Sequence, residues 1–273
     1  NKMQNHIRLN LDHKDYNFVT GFQAFENLNV TKNSDRYQFI LPYYNFDTLL
    51  KKDYFNGSIS FSSSGSNNLN NTNQIKSNII NDLNYNKTNQ FINYGFVNNL
   101  NINFKNLNSI GKKDSNYKSS PQIELLSLFE VNTSMPLIKE EENYNNYLTP
   151  KLSLRFSPGD MKDNSSSSKK INTGNIFSLN RLGLTDTFET GRSLTLGINY
   201  KREKLISEKH NNDEQSLDDI NKFFEVKLAT VIRDKNEHHI SRTSTLDRKS
   251  SNVFGSITNN LNDNLALNYN FAL

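Results

Sequence analysis

Long stretches in which apolar and polar residues alternate are the feature that most limits what this chain can fold into. In residues 92–104, nearly every even-numbered residue is aliphatic or aromatic, and most odd-numbered residues are asparagine. Successive side chains of a β-strand point to opposite faces, so this segment would present one apolar face and one amide face. Such a segment extends about 43 Å at roughly 3.3 Å per residue, which exceeds the usual strand of a soluble protein.

The same alternation recurs along the chain and predicts about eleven strands. It is clear at residues 151–156, 193–201 and 265–271, and weaker at 5–12, 15–26, 35–46, 52–64, 121–134, 222–233 and 250–259. Some connections between these segments are short and rich in turn residues. Others are long and charged, at 65–89, 158–175, 201–221 and 233–250. The pattern therefore predicts an all-β, antiparallel chain.

The composition is poor in aliphatic residues but rich in aromatic rings. Hydrophobic residues make up only 34% of the chain and the mean hydropathy is -0.75, yet 18 Phe and 12 Tyr bring the aromatic share to 11%. A thick soluble core is therefore under-supplied. No stretch approaches the ~20 apolar residues of a membrane-spanning helix.

A transmembrane β-barrel accounts for these features better than a soluble β-sandwich, which would also alternate. Within a bilayer every backbone amide needs an internal partner, so a sheet must close on itself. Barrel strands need ~9–11 residues and face acyl chains on one side and water on the other. They are joined by short turns at one end and long loops at the other. We therefore expect an all-β, antiparallel transmembrane β-barrel.

Charge and cysteine content exclude several other functions. The net charge of +4 arises from 32 basic and 28 acidic residues, which do not form the basic stripe with interleaved aromatics that nucleic-acid binding needs. The lack of cysteine excludes disulfides, thiol catalysis and cysteine metal sites. His238 and His239 are adjacent and would point to opposite faces of a strand, so they predict no joint metal site. No catalytic residue, cofactor or metal is predicted, and the chain is not expected to be an enzyme.

One stretch is more specific than the alternation. Residues 175–192 lead directly into the strand at 193, and they contain Phe177, Ser178, Leu179, Asn180, Arg181, Asp186, Glu189 and Gly191. This stretch resembles the "LFSLNR…D..E.G…T.G..Y" segment of the LptD (OstA) family, the lipopolysaccharide-assembly barrels of Gram-negative outer membranes. Residues 36–44, 147–152 and 244–255 resemble further family segments in the same order, with Asn252 where the family commonly has Asp.

The resemblance implies a very large barrel joined to a periplasmic jellyroll, in the bacterial outer membrane. Lipopolysaccharide would pass through the jellyroll and leave sideways between the first and last barrel strands, and an LptE-like plug lipoprotein would sit inside the barrel. Residues 1–273 would be an internal piece of the barrel domain, without the jellyroll and the final strands. They would therefore form a partial barrel, present as a curved, open or incompletely closed sheet of about eleven strands. The implied partners are lipopolysaccharide, the plug lipoprotein, the periplasmic Lpt bridge and membrane lipid, with no nucleic acid.

The resemblance places the motif residues in a structural loop near the barrel rim. Asp186 and Glu189 then either pair with Arg181 or Arg192, or belong to an ordinary solvated charge cluster. A generic porin remains an alternative function, although it gives no reason for the motif. A secreted β-rich adhesin is a second alternative, and it would be soluble without detergent.

The alternation also assigns strand residues to faces. The predicted lipid-facing residues are Ile92, Tyr94, Phe96, Leu100, Ile102, Phe104, Leu194, Leu196, Ile198, Leu265, Leu267 and Phe271. The predicted lumen-facing residues are Asn93, Asn99, Asn101, Asn103, Thr195, Asn199, Asn268 and Asn270. These two faces, rather than a catalytic site, are the expected functional surfaces.

Overall fold

A computed structural model describes residues 2–30, 36–71, 73–91, 95–114, 116–204, 222–262 and 265–273. Thirteen strands occur in these ranges: β1 (Lys2–Asp12), β2 (Tyr16–Asn27), β3 (Tyr37–Tyr54), β4 (Gly57–Asn70), β5 (Gln74–Phe91), β6 (Phe96–Lys112), β7 (Gln122–Ser134), β8 (Leu137–Glu140), β9 (Tyr144–Ser157), β10 (Gly191–Lys204), β11 (Phe223–Arg233), β12 (Phe254–Asn262) and β13 (Leu265–Ala272). One turn of 3-10 helix lies at Arg242–Ser244. Within the described ranges, no helix has the length and apolar character needed to cross a membrane.

The strands form one antiparallel sheet in which sequence neighbours pair in order from β1 to β13. The exception is β8, which pairs with the start of β9 while β7 pairs with its end. Among the described residues no ladder joins β1 to β13, so the sheet is open. The prediction of an all-β, antiparallel and incompletely closed sheet is confirmed.

The predicted strand count was too low by two. The expected connection at 65–89 is wrong, because β4 continues to Asn70 and β5 fills Gln74–Phe91. Serine and asparagine occur on both faces of these strands and hide the alternation. For example, Ser63 donates to the Asn81 side chain at 2.7 Å on the same face as the apolar Phe61 and Leu83. The short β8 also escaped prediction.

The register of the ladders divides the sheet into two faces, because directly paired residues point to the same side. One row joins Ile102, Phe129, Phe156 and Arg192 across β6, β7, β9 and β10. We call the face that carries this row the apolar face, and the opposite one the polar face. The large hydrophobic side chains that are exposed on the sheet lie mostly on the apolar face.

Two long connections, residues 158–190 and 234–253, pack on the polar face, and we call them the lid. Met161, Ile171, Ile176 and Leu182 of the first connection and Ile240 and Leu246 of the second form one buried cluster with the strand residues Ala229, Val231 and Phe254. Burial of each large aliphatic side chain contributes about 1.5–3 kcal/mol. The main apolar core therefore lies between the sheet and its own loops.

Candidate functional site

A row of polar and charged side chains crosses the polar face beneath the lid. The register joins Asn101, Glu130, Arg155, Ser193 and Arg233 across five strands from β6 to β11. All five side chains are buried. Asn101 donates to Glu130 at 3.0 Å, and the Arg155 guanidinium lies 3.4 Å from the same carboxylate. Buried charges are costly unless they are paired and hydrogen-bonded, so this row needs further partners.

The lid supplies those partners through Arg181 and Glu189. Arg181 donates to Glu189 from Nε at 2.8 Å and from Nη2 at 2.5 Å, so the pair is bidentate. The same guanidinium donates to Thr195 at 2.9 Å and to Ser193 at 3.0 Å on the strand wall. Arg233 of β11 also donates to Glu189. One guanidinium and one carboxylate of the lid are thus shared with β10 and β11.

The Arg155 side chain binds the main chain of the lid. Its two terminal nitrogens donate to the carbonyl oxygens of Ser178 at 3.1 Å and Leu179 at 2.6 Å. Backbone carbonyls buried away from water need such donors. The contribution of Ser178 and Leu179 to the motif is therefore a fixed backbone position above β9.

Electrostatics keeps Glu189 ionised. Burial would raise the pKa of its carboxyl, but Arg181, Arg155 and Arg233 together hold that pKa well below the ordinary 4.5. Three guanidinium groups and two carboxylates share this buried region. The Glu189 carboxylate is therefore needed to offset the excess of buried positive charge.

Phe177 of the lid packs against β10 at a glycine, where the strand has no side chain. A Cβ atom at Gly197 of β10 would lie 2.7 Å from two carbon atoms of the Phe177 ring, so only glycine leaves room for the ring. The ammonium of Lys151 lies 5.8 Å from the centre of the same ring. The aromatic residue of the motif and the glycine of the following strand are therefore complementary in shape.

Asn180 and two glycines set the path of the lid backbone. The Asn180 side chain accepts from the Leu184 amide at 2.8 Å and donates to the Leu184 carbonyl at 2.6 Å. Gly183 has a φ of 67° and Gly191 a φ of 86°, a left-handed region that favours glycine. The Asn180 contacts close a turn around Arg181, and Gly191 begins β10 two residues after Glu189.

Asp186 and Arg192 do not join the Arg181 network. Asp186 accepts from the Tyr117 hydroxyl at 2.8 Å, and Tyr117 lies in the connection that precedes β7. Burial, together with the neighbouring carboxylates, raises the pKa of Tyr117 above its ordinary value. Arg192 is exposed on the apolar face, with its guanidinium 5.4 Å from the centre of the Phe156 ring. Of the two interpretations of the motif charges, the Arg181–Glu189 pair is present, and that pair is not a solvated cluster.

The register also shows where the residues assigned to faces lie. The predicted lumen-facing residues Asn99, Asn101, Asn103, Thr195, Asn199, Asn268 and Asn270 lie on the polar face. The predicted lipid-facing residues Phe96, Leu100, Ile102, Phe104, Leu194, Leu196, Ile198, Leu265, Leu267 and Phe271 lie on the apolar face. Ile92, Asn93 and Tyr94 are outside the described residues. That the two faces contact lipid and lumen stays a prediction.

The sequence pattern did not identify the strand residues that take part in the buried ion-pair network. Glu130, Arg155 and Arg233 each place a charge on the polar side of an alternating strand, at a position that faces the lid. A charged residue on the polar side of a predicted strand was the available signal. Among the described residues, no group of three or more His, Asp and Glu side chains could hold a metal ion.

Comparison with protein families gives a match over the whole chain. Residues 1–273 match the LptD family, described as LPS transport system D, where LPS is lipopolysaccharide. A search of curated proteins gives no match. The match includes the lid motif, the buried wall row and every described strand. The chain therefore belongs to the LptD family.

Proposed function

We propose that this chain forms part of the outer-membrane barrel wall that delivers lipopolysaccharide to the outer leaflet, and that it catalyses no reaction. The LptD family acts in lipopolysaccharide transport and assembly at the outer membrane. The observation that carries the proposal is the separation of apolar and polar side chains between the two faces of one continuous sheet. A barrel wall between acyl chains and an aqueous interior requires that separation.

The polar face gives the proposed lumen two kinds of lining. Under the lid it is buried, and protein fills that part of the interior. On β4 and β5 it carries mostly uncharged polar side chains, among them Ser62, Ser64 and Asn84, none of which is fully buried, and Asp82 on this face is paired with Lys105. Hydroxyls and amides can exchange hydrogen bonds with sugar hydroxyls without holding them by charge. Such a surface suits a saccharide that must move on.

The partners follow from the family resemblance. The proposal includes an LptE-like plug lipoprotein in the lumen, a periplasmic jellyroll linked to the Lpt bridge, and sideways exit of lipopolysaccharide between the first and last barrel strands. In this scheme residues 1–273 are barrel wall, and the energy for transport comes from upstream components rather than from a cofactor bound here.

Depletion of the protein in its own cells tests the proposal. Surface lipopolysaccharide, labelled from outside with an impermeant reagent, is expected to fall as the protein is depleted. A porin with the same sheet predicts unchanged labelling and reduced uptake of small solutes. A secreted adhesin predicts that the protein leaves the membrane fraction without detergent. Either of those results would overturn the proposal.

A further inference from the structure

A groove on the apolar face lies at the end of the sheet where β9 ends and β10 begins. It has a volume of about 540 Å³, within the range of small-molecule sites. Its apolar lining consists of Phe129, Val131, Leu154, Phe156, Leu194 and Ile232. The register places all six on the apolar face. The groove therefore opens away from the lid, on the side proposed to contact lipid.

The groove follows from the unequal ends of neighbouring strands. The ladder between β7 and β9 stops at the pair Phe129–Phe156, but β7 extends back to Gln122 without β9 beside it. This mismatch leaves a step in the edge of the sheet. Phe129 stacks on Phe156 with ring centres 6.3 Å apart, and Phe104 meets Phe129 edge-on at 6.2 Å. Aromatic rings of this kind line the membrane–water interface of outer-membrane barrels.

Arg192 supplies an available positive charge at the groove. Its guanidinium lies against the Phe156 ring and is exposed. Among the described residues, no carboxylate lies within 4.0 Å of it and no side-chain hydrogen bond involves it, unlike the buried Arg155, Arg181 and Arg233. A guanidinium fork binds phosphate oxygens in pairs. Asp234 also borders the groove and can accept hydrogen bonds from sugar hydroxyls.

We propose that this groove holds the lipid A end of one lipopolysaccharide molecule, with a phosphate on Arg192 and an acyl chain along Val131, Leu154 and Leu194. This inference rests on the proposed function, because it needs the apolar face in the outer membrane. It also needs this end of the sheet at the cell surface. The connections at this end include 113–121 and both segments of the lid, and outer-membrane barrels carry their longer loops outside.

Arg202 offers a matched control on the same strand and the same face. It lies at the opposite end of β10, is exposed, and stacks on the Tyr144 ring at 4.0 Å. Both arginines therefore place a guanidinium on an aromatic ring near a membrane interface. Only Arg192 borders the groove.

The test compares lipid retention by the intact protein and its R192Q and R202Q variants, purified in detergent and measured by native mass spectrometry. The probes are diphosphorylated lipid A, lipid A without phosphate, and phosphatidylglycerol. We expect R192Q to bind diphosphorylated lipid A about tenfold more weakly, since charge-assisted hydrogen bonds are lost. R202Q is expected to bind as the unaltered protein does. Lipid A without phosphate is expected to bind both R192Q and the unaltered protein with the same weaker affinity.

Equal retention by R192Q and the unaltered protein would overturn the site. So would an equal loss in R202Q, or phosphatidylglycerol binding as strong as that of lipid A. The proposed transport function fails separately, if depletion leaves surface lipopolysaccharide unchanged. In that case a specific loss in R192Q would still establish the lipid A site.

Discussion

The sheet has two parts that share one strand pattern but differ in what covers the polar face. From β6 to β12 the lid lies on that face, and side chains such as Asn103 and Thr195 are buried. In β1 every described side chain is exposed, and in β2 most are only partly buried. The same alternation therefore supports a packed protein interior in one part and an uncovered surface in the other. Alternation alone specifies a strand but not what lies against it.

Ion pairs show the same contrast. In the lidded part, Arg181 and Glu189 are almost completely buried and share three further hydrogen bonds with Thr195, Ser193 and Arg233 of the strands. In the uncovered part, Arg36 pairs with Glu26 between neighbouring segments, with more than a third of the arginine side chain exposed. A buried pair is costly to break, whereas an exposed pair contributes little. Loss of the buried Glu189 carboxylate should therefore weaken lid attachment strongly, whereas loss of the Glu26 carboxylate should change the uncovered part little.

The largest expected effect follows from Glu189→Gln. This change leaves Arg181 and Arg233 buried without their carboxylate, so the free energy of unfolding should fall by about 3–5 kcal/mol. Urea denaturation of the intact protein in detergent, followed by circular dichroism, measures the fall. Glu26→Gln is the matched change in the uncovered part, and its expected cost is about 0–1 kcal/mol. Similar losses in both variants would remove the distinction between the two parts.

The second prediction concerns the apolar face, which should contact lipid in both the lidded and the uncovered part. Leu196→Lys in β10 and Leu83→Lys in β5 both place a charge on the apolar face. If that face meets acyl chains, each should lower the unfolding free energy by about 2–4 kcal/mol in lipid bilayers. Asn199→Lys changes the same strand on the polar face, beside Glu225, and should be close to neutral. A neutral Leu196→Lys would show that the apolar face is not in lipid.

The third prediction concerns shape rather than charge. Gly197→Val would push a side chain into the Phe177 ring and should cost about 1–3 kcal/mol of unfolding free energy. Ser62→Val enlarges a polar-face residue where no lid lies, and its expected effect is within about 0.5 kcal/mol. In a double-mutant cycle, Phe177→Ala should recover part of the Gly197→Val loss, because the two side chains compete for one space. Additive losses would show that the lid does not rest on this glycine.

The sequence predicted the strands best where one face is mostly apolar, as in residues 96–104 of β6 and in β10 and β13. It failed for β5, where polar side chains on both faces bond to one another across the strands. For instance, Asn81 donates to Asn106 at 3.2 Å, so the polar groups are satisfied on the face that is otherwise apolar. Local alternation carries no information on such cross-strand partners.

The lid network could be predicted only in part. The motif pointed to Arg181 and Glu189, and their pairing was one of two open interpretations. Nothing local indicates that Glu130, Arg155 and Arg233 lie side by side, because only the register of several ladders brings them together. The packing of Ile176 and Leu182 was equally hidden, since irregular loops have no period that marks a buried face.

The smallest expected effect is the pH dependence of the contribution that Glu189 makes to the unfolding free energy. Because the pKa of Glu189 is held well below 4.5 in the folded protein, its ion pairs contribute fully above the unfolded pKa. Below pH 4.5 the unfolded chain takes up the proton first, so this contribution declines as pH falls through the folded pKa. The difference in unfolding free energy between the unaltered protein and Glu189→Gln should therefore be constant from pH 7 to pH 5 and shrink in stronger acid. Subtracting the variant removes the titration of the other carboxylates, including those of the uncovered part. A difference that already shrinks near pH 6 would mean that Glu189 is not held by three guanidinium groups, and its ion pair would then be no stronger than the Arg36–Glu26 pair of the uncovered part.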